Sequence, residues 1–180
     1  MQRENAKQLS AFYREMEEKS GNTECDDSNA HFEIIEYVIN KVKPKKMLGI
    51  ARSNDNYFPL SKKTDIPEFS GQDISAKSFE MIKGNILEHG DRILCNPIAN
   101  LDFAESYFDL IISNRALHAI KPSEITSIIA KLCIIAKHIY FDESKEGHDY
   151  AKLMKENGFV LVKSGVLPDG KNAWALYKKA

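Results

Sequence analysis

Short apolar runs alternate with amphipathic segments along most of this chain. Residues 45–51 and 107–114 are apolar over most of their length, which is typical of strands buried on both faces of a parallel sheet. Residues 29–42 and 121–138 instead carry apolar side chains at helical spacing. Strands that alternate with helices predict a doubly wound α/β fold with a mostly parallel sheet.

The last part of the chain departs from this alternation. Residues 159–167 and 172–179 have the pattern of two strands, and only the turn sequence PDGK separates them. A parallel pair needs a long crossover, so these strands must run antiparallel. We therefore expect a seven-stranded sheet that is parallel apart from a reversed terminal strand. The predicted strands are 45–51, 68–75, 91–97, 107–114, 138–144, 159–167 and 172–179.

Helical spacing also predicts helices over residues 4–19 and 75–90. We interpret residues 1–43 as an N-terminal helical cap. Residues 44–180 then form one compact Rossmann-like domain, which contains the whole predicted sheet.

Composition excludes several classes of partner. The net charge of the 180 residues is -1, so no global field favours nucleic acid. No apolar run approaches the roughly 20 residues that span a bilayer, and we expect a cytoplasmic protein. Cys25, Cys95 and Cys133 lack metal-ligand spacing, and no metal site is expected. The oligomeric state cannot be inferred from the sequence.

The topology predicts where a ligand would bind. In an open parallel sheet, ligands lie outside the carboxyl ends of the strands, where the strand order reverses. Four predicted strand ends carry polar or small residues there. They are residues 51–55, Asp73, Asn96 and Asn114.

Two of these side chains have a specific chemistry available. Asp73 lies 73 − 49 = 24 residues beyond Gly49, compatible with an acid that accepts hydrogen bonds from ribose hydroxyls. It could equally cap the helix that follows. Asn96 could pair with an adenine amino group and ring nitrogen, or form a local Asx turn.

Two segments of the chain resemble the middle of class I S-adenosylmethionine-dependent methyltransferases of the small-molecule type. They are GQDISAKSFEMIKGNI, which begins at Gly71, and NPIANLDFAESYFDLIISNRALHAI, which begins at Asn96. The family reads G-x-D-I-S, then an L-P-F segment, then F-D-L-I-x-S-N with L-H-x-I. The resemblance covers residues 29–180 and implies the family's Rossmann-like fold, its cofactor S-adenosylmethionine and a small-molecule substrate.

The resemblance also implies roles for single residues. Asp73 matches the ribose-binding acid, and Asn96 stands where an aspartate contacts the adenine. His118 matches the catalytic stretch and could accept a proton from an attacking hydroxyl, or it could only pack against its loop. The implied cofactor-binding residues are Gly49, Ala51, Ser53, Asp73, Ile74, Asn96, Pro97 and Asn114.

The first loop departs from the family pattern. The family reads D/E-x-G-x-G-x-G there, whereas residues 49–55 read GIARSND, with no acid at the first position and none of the three later glycines. Ala51 and Ser53 still permit close backbone approach, but positive φ costs them on the order of 1 kcal/mol or more. Two hypotheses follow: a small-molecule methyltransferase, or a non-catalytic protein that uses this fold as a binding module.

Overall fold

The computed structural model describes residues 27–51, 66–72, 92–94, 98–114, 116–117, 120–144, 148–167 and 170–180. The helices predicted over 4–19 and 75–90 lie outside these residues. So does most of the N-terminal segment assigned to a cap, and that division of the chain stays a prediction.

The described strands form one sheet of seven strands in the order β3-β2-β1-β4-β5-β7-β6. Neighbouring strands are parallel except that β7 is antiparallel to both β5 and β6. The mixed α/β architecture with one reversed strand is therefore observed as expected. The strands are β1 Lys46–Ala51, β2 Glu68–Gln72, β3 Arg92–Leu94, β4 Leu110–Asn114, β5 His138–Ser144, β6 Phe159–Val166 and β7 Asn172–Lys179.

Three α-helices lie within the described residues, and the local sequence explains the end of the first and the start of the third. They are α1 Asp27–Val42, α2 Pro122–Ile135 and α3 Tyr150–Glu156. After α1, Lys43 has a φ of 51° and a proline follows, which stops the helix. Before α3, the Asp149 carboxylate accepts a hydrogen bond from the Lys152 backbone N–H at 3.0 Å.

Two strand and helix boundaries differ from the prediction for one shared reason. β4 begins at Leu110 rather than at 107, and α2 ends at Ile135 rather than at 138. Phe108 and Ala136 instead form an isolated parallel bridge. This bridge brings the chain before β4 against the end of α2, so neither element extends through it.

Both faces of the sheet are covered, as a doubly wound fold requires. On one face α1 packs Ile35, Val38 and Ile39 against the sheet. On the other face α2 packs residues such as Ile125 and Ile129 against it. All five side chains are at most 4% exposed.

The final hairpin contributes to the core. Trp174 on β7 is only 8% exposed and stacks on Tyr140, with ring centroids 6.2 Å apart. Trp174 therefore lies at the edge of the core. Gly165 lies beneath it on β6, where an added Cβ would come within 2.6 Å of the indole Nε1.

Asp109 joins β1 to β4 at the amino ends of these strands. Its carboxylate accepts hydrogen bonds from the backbone N–H groups of Lys45 (2.9 Å) and Lys46 (3.0 Å), and from Lys137 Nζ (2.7 Å). Partial burial acts to raise the pKa of Asp109, but these three hydrogen bonds lower it below the ordinary value. This end of the sheet is therefore fixed by a charged anchor.

Candidate functional site

The carboxyl ends of β1 and β4 lie where the strand order reverses. From β1 the chain proceeds to β2 and β3 on one side, and then returns to β4 on the other side. Ala51 and Asn114, the last residues of these two strands, are in register with each other. The structure thus brings two of the expected cofactor-binding residues together at the point where such sheets bind ligands.

Gly49 lies inside β1 rather than in the loop after it. It is in register with Gly71 on β2 and with Ile112 on β4. Two glycines side by side leave a patch of the sheet without side chains, two residues before β1 ends. An added Cβ at Gly71 would meet no atom within 4 Å among those described.

A buried carboxylate on β5 fixes the segment that follows β4. Glu143 is 2% exposed. Its Oε1 accepts hydrogen bonds from Ser113 Oγ at 3.1 Å, from the backbone N–H of Ala116 at 3.1 Å and from that of Leu117 at 2.9 Å. The acid therefore supplies the acceptor that two backbone groups of this segment need away from solvent.

A histidine fixes the other end of the same segment. His148 Nε2 lies 3.0 Å from the carbonyl oxygen of Ile120. A carbonyl oxygen only accepts, so Nε2 carries the hydrogen and donates it. Because Glu143 holds Leu117 and His148 holds Ile120, the chain is anchored on both sides of His118, which itself lies outside the described residues.

Tyr150, at the start of α3, completes this polar cluster. Its ring lies 5.3 Å from that of Phe141 and 5.8 Å from that of His148, measured between centroids. Its hydroxyl is buried and forms no hydrogen bond within the described part of the chain. Burial and the nearby charge of Glu143 raise the pKa of Tyr150, so the hydroxyl keeps its proton at neutral pH.

Residues 101–103, which read LDF and match the family's L-P-F segment, have a packing role. Leu101 is 2% exposed, and the Phe103 ring lies 4.7 Å from that of Phe108 and 5.1 Å from that of Tyr107. Asp102, which replaces the proline, is exposed. This segment covers the core before β4 begins.

The remaining predicted residues of the site are Ser53, Asp73, Ile74, Asn96, Pro97 and His118, and all of them lie outside the described residues. Their roles stay predictions. The sequence analysis did not select Glu143, His148 or Tyr150. One feature of the sequence could have pointed to Glu143, because the apolar strand ends in FDES and so places this acid at a strand end.

Two further kinds of feature are absent from the described residues. No group of three or more His, Cys, Asp or Glu side chains in the described ranges could hold a metal ion. No helix there is long and apolar enough to cross a bilayer.

Comparisons with known proteins identify the fold. No family model matches the sequence, and no curated protein matches it. Solved structures do match. Magnesium protoporphyrin IX methyltransferase from Synechocystis, solved with bound S-adenosylmethionine, is 14% identical, with a TM-score of 0.68 over 84% of this chain and 80% of that chain.

Two other matches show how widely this fold is used. The 1,6-didemethyltoxoflavin-N1-methyltransferase of Burkholderia thailandensis, solved with S-adenosylhomocysteine, is 13% identical, with a TM-score of 0.66 over 99% of this chain and 90% of that chain. The cyclase SpnF is 10% identical, with a TM-score of 0.65 over 80% of each chain. The chain therefore has the fold of class I methyltransferases, and the resemblance seen in its sequence is confirmed at the level of the fold.

Proposed function

We propose that this protein is an S-adenosylmethionine-dependent methyltransferase that acts on a small molecule. The observation that carries the proposal is the pairing of Ala51 with Asn114 at the strand-order reversal. Solved proteins of the same fold are described with S-adenosylmethionine or S-adenosylhomocysteine bound. The substrates named for two of these methyltransferases are small molecules, which supports the same substrate class here.

The residues present fit such a cofactor in two respects. The neighbouring Gly49 and Gly71 leave a part of the sheet without side chains, and a Cβ at Gly71 would meet no described atom within 4 Å. The segment after β4 is held in one conformation by Glu143, so a site beside it would be preorganised. The first loop remains the point of least fit, because it lacks the family's glycines.

The proposed roles divide between holding the cofactor and orienting the substrate. Asp73 would accept hydrogen bonds from the ribose hydroxyls, and Asn96 would pair with the adenine. S-adenosylmethionine, when bound, supplies an electrophilic methyl group on a sulfonium. His118 would take the proton of an attacking hydroxyl, and its anchored segment would hold the acceptor in line. Small-molecule partners and a cytoplasmic location are part of this proposal.

Calorimetric titration with S-adenosylmethionine and S-adenosylhomocysteine tests the cofactor assignment. We expect micromolar binding that is lost in Asp73→Ala. Asp102→Ala is the matched control, because it removes an exposed aspartate, and it should bind like the unmodified protein. No heat and no thermal shift at millimolar ligand would contradict the proposal.

A second candidate function is a non-catalytic binding module with this fold. The altered first loop favours it, because Gly49 offers no carboxylate and residues 51, 53 and 55 offer no glycine. The cyclase SpnF shows that the fold is not confined to proteins named as methyltransferases. Absence of binding to both ligands, in a protein that unfolds cooperatively, would support this candidate over the first.

A further inference from the structure

A groove of about 460 Å³ opens at the amino ends of the parallel strands. Its polar residues are Lys41, His138 and Lys178, and its apolar residues include Val42, Leu161 and Leu176. Lys178 is in register with His138 on one side and with Val160 on the other, which places the groove across β5, β7 and β6. This edge lies opposite the carboxyl ends where the proposed cofactor site is.

We propose that this groove binds a small amphipathic anion, namely a carboxylate with a hydrocarbon chain. Its volume is within the range of about 300–1,000 Å³ that small-molecule sites occupy. The groove combines cations with apolar walls, and this combination matches a ligand that has one charged end and one apolar end.

No acid among the described residues forms an ion pair with the lysines of the groove. Three other lysines at this end of the sheet are paired: Lys46 with Glu68, Lys137 with Asp109 and Lys179 with Glu105. By contrast, Lys41 and Lys178 form no ion pair with any described residue. Two ammonium groups that share one groove therefore remain available for an anion.

The surroundings add to the positive potential. Lys163 Nζ lies 4.3 Å from the centroid of the Tyr37 ring, and Lys41 Nζ lies 5.9 Å from it. A hydrogen bond from Lys163, with a smaller contribution from Lys41, lowers the pKa of the exposed Tyr37. Such a field would attract an anion to the groove.

His138 is held in place at the groove wall. Its Nδ1 lies 3.0 Å from the carbonyl oxygen of Asp109. Because a carbonyl oxygen only accepts, Nδ1 carries the hydrogen and donates it. The ring orientation is therefore fixed by the residue that precedes β4, and the wall that the ligand would meet is preformed.

The apolar wall is exposed in the free protein. Leu161 is 54% exposed and the neighbouring Val160 is 43% exposed, although both lie on a strand of the sheet. A second copy of the chain paired along β6 is a less suitable occupant. β6 is an edge strand with a bulge between Leu161 and Lys163, and a bulge with a lysine opposes edge-to-edge pairing.

NMR titration of the full-length protein with octanoate tests this assignment, with octanol and acetate as probes that carry only the chain or only the charge. We expect saturable shifts at the amides of Lys41, Leu161 and Lys178 with octanoate. We expect affinities at least about tenfold weaker for octanol and for acetate, because each lacks one half of the match. Amides beside Gly49 and Asn114 should not shift.

Substitutions separate the two halves of the site. Lys41→Gln with Lys178→Gln should weaken octanoate binding about tenfold, whereas Lys152→Gln with Lys155→Gln, an equal charge change at exposed positions of α3, should not. Leu161→Ser should weaken octanoate binding without affecting acetate binding. Because this variant keeps both lysines, it still tests the proposal if the double lysine variant fails to fold. The proposal would be overturned by any one of four results: equal affinity for octanol and octanoate, unchanged affinity in the lysine variant, absence of saturation, or chemical shifts that depend on protein concentration without ligand. None of these outcomes depends on binding of S-adenosylmethionine.

Discussion

Removal of the Glu143 carboxylate should destabilise the protein more than removal of any exposed acid. The single oxygen Oε1 accepts three hydrogen bonds, from Ser113 Oγ and from the backbone N–H groups of Ala116 and Leu117. Ser113 and Leu117 are both 0% exposed. In Glu143→Ala these donors would have neither a carboxylate nor bulk water to bind.

The magnitude follows from the two fully buried donors. A buried donor without a partner costs about 1–3 kcal/mol, so two of them cost about 2–6 kcal/mol. The substitution also removes a buried charge, whose desolvation opposed folding, and this offsets part of the loss. We therefore expect a loss of about 3 kcal/mol in the free energy of unfolding. Glu143→Gln keeps an acceptor oxygen and should lose only about 1 kcal/mol.

Urea denaturation followed by circular dichroism measures these differences. Glu156→Ala is the control, because Glu156 is on the surface of α3 and its i,i+4 pair with Lys152 is 3.9 Å long. Such exposed pairs contribute about 0.3–0.5 kcal/mol. A loss below about 1 kcal/mol in Glu143→Ala would refute the assignment of Glu143 as the acceptor for this segment. Equal losses in the Ala and Gln variants would show that the charge, rather than the acceptor oxygen, is what matters.

Three further predictions concern other parts of the fold. The pKa of Asp109 is lowered, so the stabilisation that this carboxylate gives is present above the unfolded-state pKa near 3.9 and is lost as pH falls through the folded-state pKa. The difference in the free energy of unfolding between the unmodified protein and Asp109→Asn, measured by urea denaturation, should therefore be largest at pH 7 and shrink towards pH 2. Burial raises the pKa of the Cys133 thiol to about 12, although the charge of Lys179 opposes this rise. In a variant whose other two cysteines are replaced by serine, mass spectrometry should therefore detect no alkylation at pH 8 until the protein unfolds. Gly165→Ala should lower the free energy of unfolding by about 1–3 kcal/mol, because the added Cβ would come within 2.6 Å of the buried Trp174 ring, and an unchanged urea midpoint would contradict this packing.

The strands and the reversed strand were predictable because each depends on a local rule. Runs that are apolar on both faces can be satisfied only inside a covered parallel sheet, and β4 is fully buried over Leu110–Ser113. The four-residue turn before β7 leaves no room for a crossover, so the reversal follows from chain length alone. The late start of β4 was not predictable, because it depends on the bridge between Phe108 and Ala136, which are far apart in sequence.

The candidate site was predictable only as a position in the topology. The rule for parallel sheets places Ala51 and Asn114 at the strand-order reversal, and their register agrees with it. Glu143 and His148 were missed, since each acts through a contact with a segment distant in sequence. Tyr150 was missed with them, because its place in the cluster follows from its packing beside His148. No periodicity within β5 indicates that its acid binds the backbone that follows β4.

The conformation of the segment after β4 depends on a contact with another strand. The backbone after β4 is fixed by Glu143 on β5, and it does not depend on glycines or turn residues of its own. On β1, by contrast, Gly49 carries no side chain that could act as such an anchor. Stability and cofactor binding should therefore be separable: Glu143→Ala should lower the free energy of unfolding, whereas Asp73→Ala should abolish cofactor binding and leave unfolding nearly unchanged. If both substitutions reduced stability equally, the two strand ends would form one cooperative unit, and order in the β1 segment would also depend on β5.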